Sequence, residues 1–180
     1  LAAASLGGSV GTPEGGVEAE VVQFGSLEEL KLASRDQVAG RIVFVNRRME
    51  RARDGYGYGV AVPIRVEGAS VASNLGAQAI VIRSMSTSQA RLPHTGVVSY
   101  AVGIPRIPAV AVSNPDADLL ERMFARGRPV RIQLVSTARE LPMTHSANVI
   151  AELPGTDRPN EVVVLGAHLD SWDLGTGAID

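Results

Sequence analysis

Short apolar runs recur along the first 135 residues and predict a series of strands. Two of these runs alternate apolar with polar residues, which is typical of strands with one exposed face. The other three runs are continuous and rich in β-branched residues, which favours strands covered on both faces of a sheet. The alternating runs are residues 18–24 and 130–135, and the continuous runs are residues 41–45, 79–82 and 108–112.

The segments between these runs carry helix signals. Ser26 and Glu29 have the spacing of a capping box, and Asn114 with the proline after it is a typical helix start. The predicted helices cover residues 26–34, residues 64–75 and the segment from Asn114 to Gly127. We therefore expect residues 17–135 to form one β–α–β–α–β-like unit with its own core.

Three other segments have the composition of loops. Residues 1–16 are rich in glycine and are predicted to be a loop or linker, and residues 55–59 alternate glycine with tyrosine. Residues 84–106 contain serine, threonine, glycine and two prolines. A loop of that length inside a compact domain is usually functional.

After residue 139 the pattern changes. Residues 147–151 and 161–166 are predicted strands, and the second is a continuous apolar run suited to the interior of a sheet. Two strands alone do not form a stable domain, so this segment requires further strands as partners.

Composition narrows the possible functions. The 180 residues contain no cysteine, which excludes disulfides, thiolate metal ligands and a cysteine nucleophile. A net charge of −2 gives no general attraction to nucleic acid or to an anionic membrane. No apolar run approaches the roughly 20 residues of a membrane-spanning helix. Four arginines between Arg47 and Arg53 lie near two tyrosines, but Glu50 and Asp54 dilute their charge, so we expect a solvated face and no bound nucleic acid.

Candidate chemistry concentrates near the end of the chain. His168 follows a predicted buried strand, and Asp170, two residues on, faces the same way in an extended chain. Asp180 follows a glycine-bearing loop that can bend it back towards His168. Imidazole and carboxylate groups are ligands that zinc accepts, although a His-x-Asp pair at a strand end is also a common structural feature.

The segment 166–173, followed by Gly177-Ala178-Ile179-Asp180, resembles the first metal motif of the M28 family of co-catalytic zinc peptidases, most of all in its plasma glutamate carboxypeptidase branch. Residues 76–84, Pro93-His94-Thr95-Gly96 and residues 107–109 resemble the protease-associated (PA) domain that precedes this motif in that branch. The resemblance implies a linker at 1–16, an α+β PA domain at 17–138 with a β-sandwich or barrel-like sheet and flanking helices, and the first strands of an α/β catalytic domain at 139–180.

By the same resemblance, His168 would bind one zinc ion, Asp180 would bridge two, and Asp170 would be the catalytic-site carboxylate that orients His168. Two such ions lie about 3.5–4 Å apart and generate hydroxide near neutral pH. The resemblance further implies a peptide or dipeptide substrate and a periplasmic or secreted location. It is also compatible with a homo-oligomer of the parent enzyme.

The family also requires a Glu-Glu pair and further ligands after the bridging aspartate. We therefore expect the parent protein to be an exopeptidase and the 180-residue chain to be inactive, with zinc absent or weakly bound. The alternative is a non-catalytic interaction or lid module. Two residues are candidates for lining the substrate cleft: His94, which could instead be a turn residue bonded to local backbone, and Trp172, which could instead pack beneath the site.

Overall fold

A computed structural model of the chain describes residues 1–172 and divides it into two compact units, Leu1–Glu140 and Leu141–Asp180. The first unit contains one six-stranded sheet with helices on both faces. Its strands are β1 (Ala3–Ser5), β2 (Val17–Phe24), β3 (Ile42–Val45), β4 (Ala79–Arg83), β5 (Ala109–Val112) and β6 (Arg131–Leu134). Its helices are α1 (Leu27–Leu32), α2 (Arg35–Val38), α3 (Tyr56–Asn74) and α4 (Asn114–Phe124).

The sheet is mixed, with the strand order β1-β5-β4-β3-β2-β6. The four inner strands run parallel, and the two edge strands pair antiparallel. Helices connect β2 to β3 and β3 to β4, whereas a long loop connects β4 to β5. Every residue of β3, β4 and β5 is buried, which confirms the prediction drawn from their continuous apolar runs. The architecture is α+β, as predicted, whereas the assignment of this unit to a PA domain stays a prediction.

Two apolar layers hold the helices on the sheet. On one face, α1 and α3 cover Val43, Val45, Ile80 and Ile82 with side chains that include Leu30. On the other face, α4 covers alternate residues of the same strands, among them Phe44, which stacks on Phe124 at 6.4 Å between ring centroids. The alternation of side chains along each strand therefore supplies both layers.

Helix capping follows the sequence closely. The Ser26 side chain accepts a hydrogen bond from the Glu29 amide (3.1 Å), and the Glu29 carboxylate accepts one from the Gly25 amide (2.6 Å). Helix α4 is capped by Ser113, one residue before the predicted Asn114, because the Ser113 hydroxyl accepts from the Asp116 amide (3.3 Å).

Helix α3 begins earlier than predicted. Residues 55–59 were expected to form a loop, but the helix starts at Tyr56 with Gly55 as its N-cap in the left-handed conformation (φ 74°). Gly57 lies against the preceding loop, where a Cβ atom would sit 2.0 Å from the Glu50 carbonyl oxygen. The glycine in this run therefore permits a close approach of backbone to backbone rather than breaking the helix.

Residues 1–16 contain a short strand in addition to loops. Residues 3–5 form β1, an edge strand paired antiparallel with β5, and Leu6 is buried. The Thr12 amide donates to the Ser136 carbonyl (2.9 Å), which ties the remainder of the segment to the end of the unit. The prediction of a loop or linker missed β1, because a strand of three residues is too short to give a recognisable pattern in the sequence.

The second unit contains no helix or strand within its described residues, 141–172. The segments 147–151 and 161–166, predicted to be strands that require further strands as partners, are unpaired in the described structure. Their apolar side chains are exposed, with Val163 at 88% and Leu165 at 93%. A strand exists only through hydrogen bonds to a neighbouring strand, and neither segment pairs with one here.

Candidate functional site

His168 and Asp170 are in direct contact, as their spacing predicts. His168 Nδ1 lies 3.2 Å from Asp170 Oδ1 and 2.6 Å from the Asp170 carbonyl oxygen. A proton on Nδ1 directed at these oxygens places the lone pair on Nε2, the nitrogen through which such an imidazole binds a metal. The donor chemistry of this pair therefore fits a zinc ligand with an orienting carboxylate.

Of the other residues expected near this pair, only Trp172 lies among the described residues. Asp180 lies outside the described residues. Trp172 is 39% exposed. Within residues 1–172, no group of three or more histidine, aspartate or glutamate side chains is arranged to hold a metal ion. The role of His168 as a zinc ligand thus stays a prediction.

His94 lies in the first unit, on the long loop between β4 and β5. Its amide donates to the Ser84 hydroxyl (2.7 Å), which in turn donates to the Val112 carbonyl (2.8 Å). Its exposed ring meets the Tyr58 ring edge-on at 5.8 Å. The loop holds His94 in a defined place on the surface, and both interpretations of this residue remain open.

Acidic side chains of α4 partly neutralise the arginine-rich segment at residues 47–53. Arg48 Nη2 lies 2.8 Å from an Asp118 oxygen and 2.6 Å from a Glu121 oxygen. Buried Arg83, at the end of β4, also pairs with Asp118 at 2.8 Å. Burial raises the pKa of Asp118, but the two arginines outweigh it and lower that pKa below its ordinary value. Sequence reasoning missed Arg83, although a charged residue ending a continuous apolar run is a usable signal.

A second ion pair joins distant parts of the chain. Arg91 donates from Nε and Nη2 to the buried carboxylate of Asp116, which also accepts from the Ala2 amide (2.8 Å) and the Ser113 hydroxyl (2.7 Å). The bonds from Arg91, then those from Ser113 and Ala2, outweigh burial and hold the pKa of Asp116 far below its ordinary value. From sequence, this aspartate is only an acid near the start of a helix.

Comparison with known proteins finds relatives for the motif and for the whole chain. Residues 148–180 match the family described as Peptidase family M28. Among particular proteins, the chain is 39% identical over its whole length to carboxypeptidase Q of Mus musculus and 38% identical to that of Homo sapiens. The chain spans 37% of the length of each of these two relatives.

A solved structure has the same fold as this chain. The crystal structure of a peptidase M28 precursor from Shewanella amazonensis SB2B is 45% identical to this chain, with a TM-score of 0.94. The alignment covers 100% of this chain and 41% of that one. Both units of the chain therefore have counterparts in an M28 peptidase.

Proposed function

We propose that this chain is part of a co-catalytic zinc exopeptidase that hydrolyses short peptides with metal-activated water. The observation that carries the proposal is the His168–Asp170 contact, in which a carboxylate oxygen lies 3.2 Å from Nδ1 of the imidazole. Similarity to carboxypeptidase Q over the whole chain supports it. Aminopeptidase, carboxypeptidase and dipeptidase activities all fit this proposal.

The proposed roles follow the motif. His168 and Asp180 would hold the zinc ions, with His168 as a ligand to one ion and Asp180 shared between two, and Asp170 would orient the imidazole by accepting a hydrogen bond from Nδ1. When bound, zinc supplies a Lewis acid that polarises the scissile carbonyl and makes water more acidic. The carboxylate of Asp170 makes His168 a more basic and better oriented ligand, which raises metal affinity.

The first unit is proposed to be a PA domain, extending over 17–138, that shapes or covers the substrate cleft. The loop at 84–106 is suited to this role because it is long. It is also held in place by the buried side chains of Met85 and Val98. His94 and Trp172 are the candidates for contact with substrate. A non-catalytic lid or interaction module would have the same loop but no need for the His168–Asp170 pair.

We propose a periplasmic or secreted location for the parent protein. Among the described residues, no helix is both long enough and apolar enough to cross a membrane.

The activity is tested in the parent protein with a panel of dipeptides that carry free, acetylated or amidated ends. We expect hydrolysis that chelation abolishes and zinc restores, and the tolerated blocked end identifies the exopeptidase type. His168→Ala should abolish activity, whereas His145→Ala, at an exposed position in the same unit, should not. Activity that survives chelation, or that survives His168→Ala, contradicts the proposal. The 180-residue chain alone should be inactive in the same assay.

A further inference from the structure

Arg47 and Glu50 are opposite charges that line one surface cavity without pairing with each other. The cavity has a volume of about 390 Å³, is open to solvent and lies where the segment after β3 meets the first turns of α3. Arg47 is half-buried and Glu50 is exposed, and within residues 1–172 neither side chain forms an ion pair or a hydrogen bond. Both charges are therefore available to a ligand. The remaining lining residues are Arg48, Tyr56, Gly57 and Val60.

The backbone that carries the two charges is fixed at both ends and in the middle. The Asn46 amide donates to the Phe24 carbonyl at the end of β2 (2.8 Å). Arg48 is held by the two carboxylates of α4. The Glu50 carbonyl oxygen packs against Gly57, where a Cβ atom would lie 2.0 Å away. A site on a fixed backbone loses little freedom when it binds a ligand, which favours affinity.

An apolar surface adjoins the two charges. A second cavity, of about 520 Å³, shares Arg47 and Val60 with the first. Gly57, Val60 and Ile64 are three and four residues apart, so one face of α3 lines both cavities. An apolar group that starts beside the charges can therefore extend across Val60, which is 41% exposed. The second cavity is further lined by Ser26, Leu27, Glu28, Pro63 and Ile64.

We propose that these two adjoining cavities bind a free amino acid with an apolar side chain, in its zwitterionic form. The carboxylate of the ligand accepts hydrogen bonds from the Arg47 guanidinium, and its ammonium group donates to the Glu50 carboxylate. Its side chain packs on Val60. An anion alone would leave Glu50 unpaired and a cation alone would leave Arg47 unpaired, so a ligand that carries both charges fits best.

The site is separate from the proposed zinc chemistry. Every residue that forms it belongs to the first unit, whereas His168 and Asp170 belong to the second. An exopeptidase releases free amino acids, so the ligand class matches a reaction product; this link, unlike the binding site itself, rests on the proposed function. Binding to the 180-residue chain without added zinc therefore tests the site even if the parent protein has no peptidase activity.

The test is a titration of the ¹⁵N-labelled 180-residue chain followed by NMR at the Val60 amide and the Arg47 Nε–H. The probes are L-leucine, N-acetyl-L-leucine without the ammonium group, L-leucinamide without the carboxylate, and glycine without the side chain. Leucine should give saturable shifts at both signals. Each blocked leucine should bind about tenfold more weakly, because it leaves one charge of the site unpaired, and glycine should also bind more weakly. No saturable shift with leucine, or equal affinity for any other probe, would overturn the proposal.

Two variants assign the two charges. Arg47→Gln removes the cation and Glu50→Gln removes the anion. Arg47→Gln should bind leucine no more tightly than leucinamide, and Glu50→Gln should bind leucine no more tightly than N-acetyl-leucine, because each variant lacks the group that distinguishes the two probes. A general loss of structure would weaken all probes alike and would not remove these preferences selectively. Unchanged leucine affinity in either variant would refute the assignment.

Matched controls separate the site from the net charge of the chain. Arg51→Gln and Glu14→Gln make the same changes at exposed positions that line neither cavity, and both should leave leucine binding unchanged. A loss in these controls as large as that in the two site variants would overturn the proposal. All four variants should retain the dispersed spectrum of the folded unit. If Arg47→Gln unfolds, the response of Glu50→Gln, at an exposed side chain, decides in its place.

Discussion

Arg91 and Asp116 form a two-bond ion pair across 25 residues, with Nη2 at 2.7 Å and Nε at 3.0 Å from the same carboxylate oxygen. The pair joins the long loop to the first turn of α4. Through the Ala2 amide, the same carboxylate also holds the segment that precedes β1. One buried side chain thus fastens three parts of the first unit.

Replacing this carboxylate should destabilise the first unit. Asp116→Asn loses the charge and turns a donor towards other donors, so we expect a loss of about 2 kcal/mol in the free energy of unfolding. Urea denaturation of the 180-residue chain measures it. Glu14→Gln, an exposed neutralisation in the same unit, is the control and should change stability little. A loss for Asp116→Asn no larger than that for Glu14→Gln would contradict this role.

The same carboxylate predicts a dependence on pH. Because the pKa of Asp116 is lowered in the folded chain, the unfolded chain binds its proton first as the pH falls. The stabilisation is therefore complete well above the unfolded pKa of about 3.9 and is lost progressively below it. The stability difference between the native chain and Asp116→Asn should be constant from pH 7 to about pH 5 and should shrink at lower pH. A stability difference that grows as the pH falls would contradict a lowered pKa of Asp116 in the folded chain.

Two glycines in α3 should respond to alanine in opposite directions. Gly57→Ala places a methyl group 2.0 Å from the Glu50 carbonyl oxygen and should cost about 1–3 kcal/mol or more. Gly59→Ala meets nothing within 4 Å and should stabilise the helix by about 0.5–1 kcal/mol. Thermal or urea unfolding of both variants measures the contrast. Equal effects would mean that the close approach to Glu50 is not maintained in solution.

If the proposed role of Asp170 is right, its neutralisation should weaken zinc binding in the parent protein. An amide oxygen accepts a hydrogen bond from Nδ1–H less strongly than a carboxylate does, so Asp170→Asn should lower zinc affinity by about 10–100-fold. Competition with a chromogenic chelator measures the affinity. Asp157→Asn, an exposed change in the same unit, is the control. Unchanged affinity in Asp170→Asn would remove Asp170 from the site.

The inner sheet was predictable because its strands are short, continuous apolar runs. Such runs are typical of strands that are buried on both faces of a sheet. The Ser26 cap was predictable for a similar reason, since its hydrogen bonds are local. The start of helix α3 and strand β1 were not, because local sequence patterns there did not indicate them. Gly57 packs its backbone against Glu50, and Ala3–Ser5 are a strand because β5 is beside them.

The residues of the candidate site likewise include one contact that local spacing predicts and one that it does not. The His168–Asp170 contact arises from two-residue spacing and could be anticipated. The position of the His94 ring could not, because the ring meets Tyr58, which lies on a helix much earlier in the chain. Nothing in the sequence near His94 indicates that contact.

The three residues of β1 also cover a strand edge that could otherwise pair with another copy of the chain. Strand β5 reads Ala-Val-Ala-Val, and without β1 its outer edge would present unpaired amides and carbonyls along an apolar strand. Such an edge recruits further chains by edge-to-edge pairing, the first step towards aggregation. A strand of three residues is long enough to occupy that edge and too short to offer a comparable one in its place.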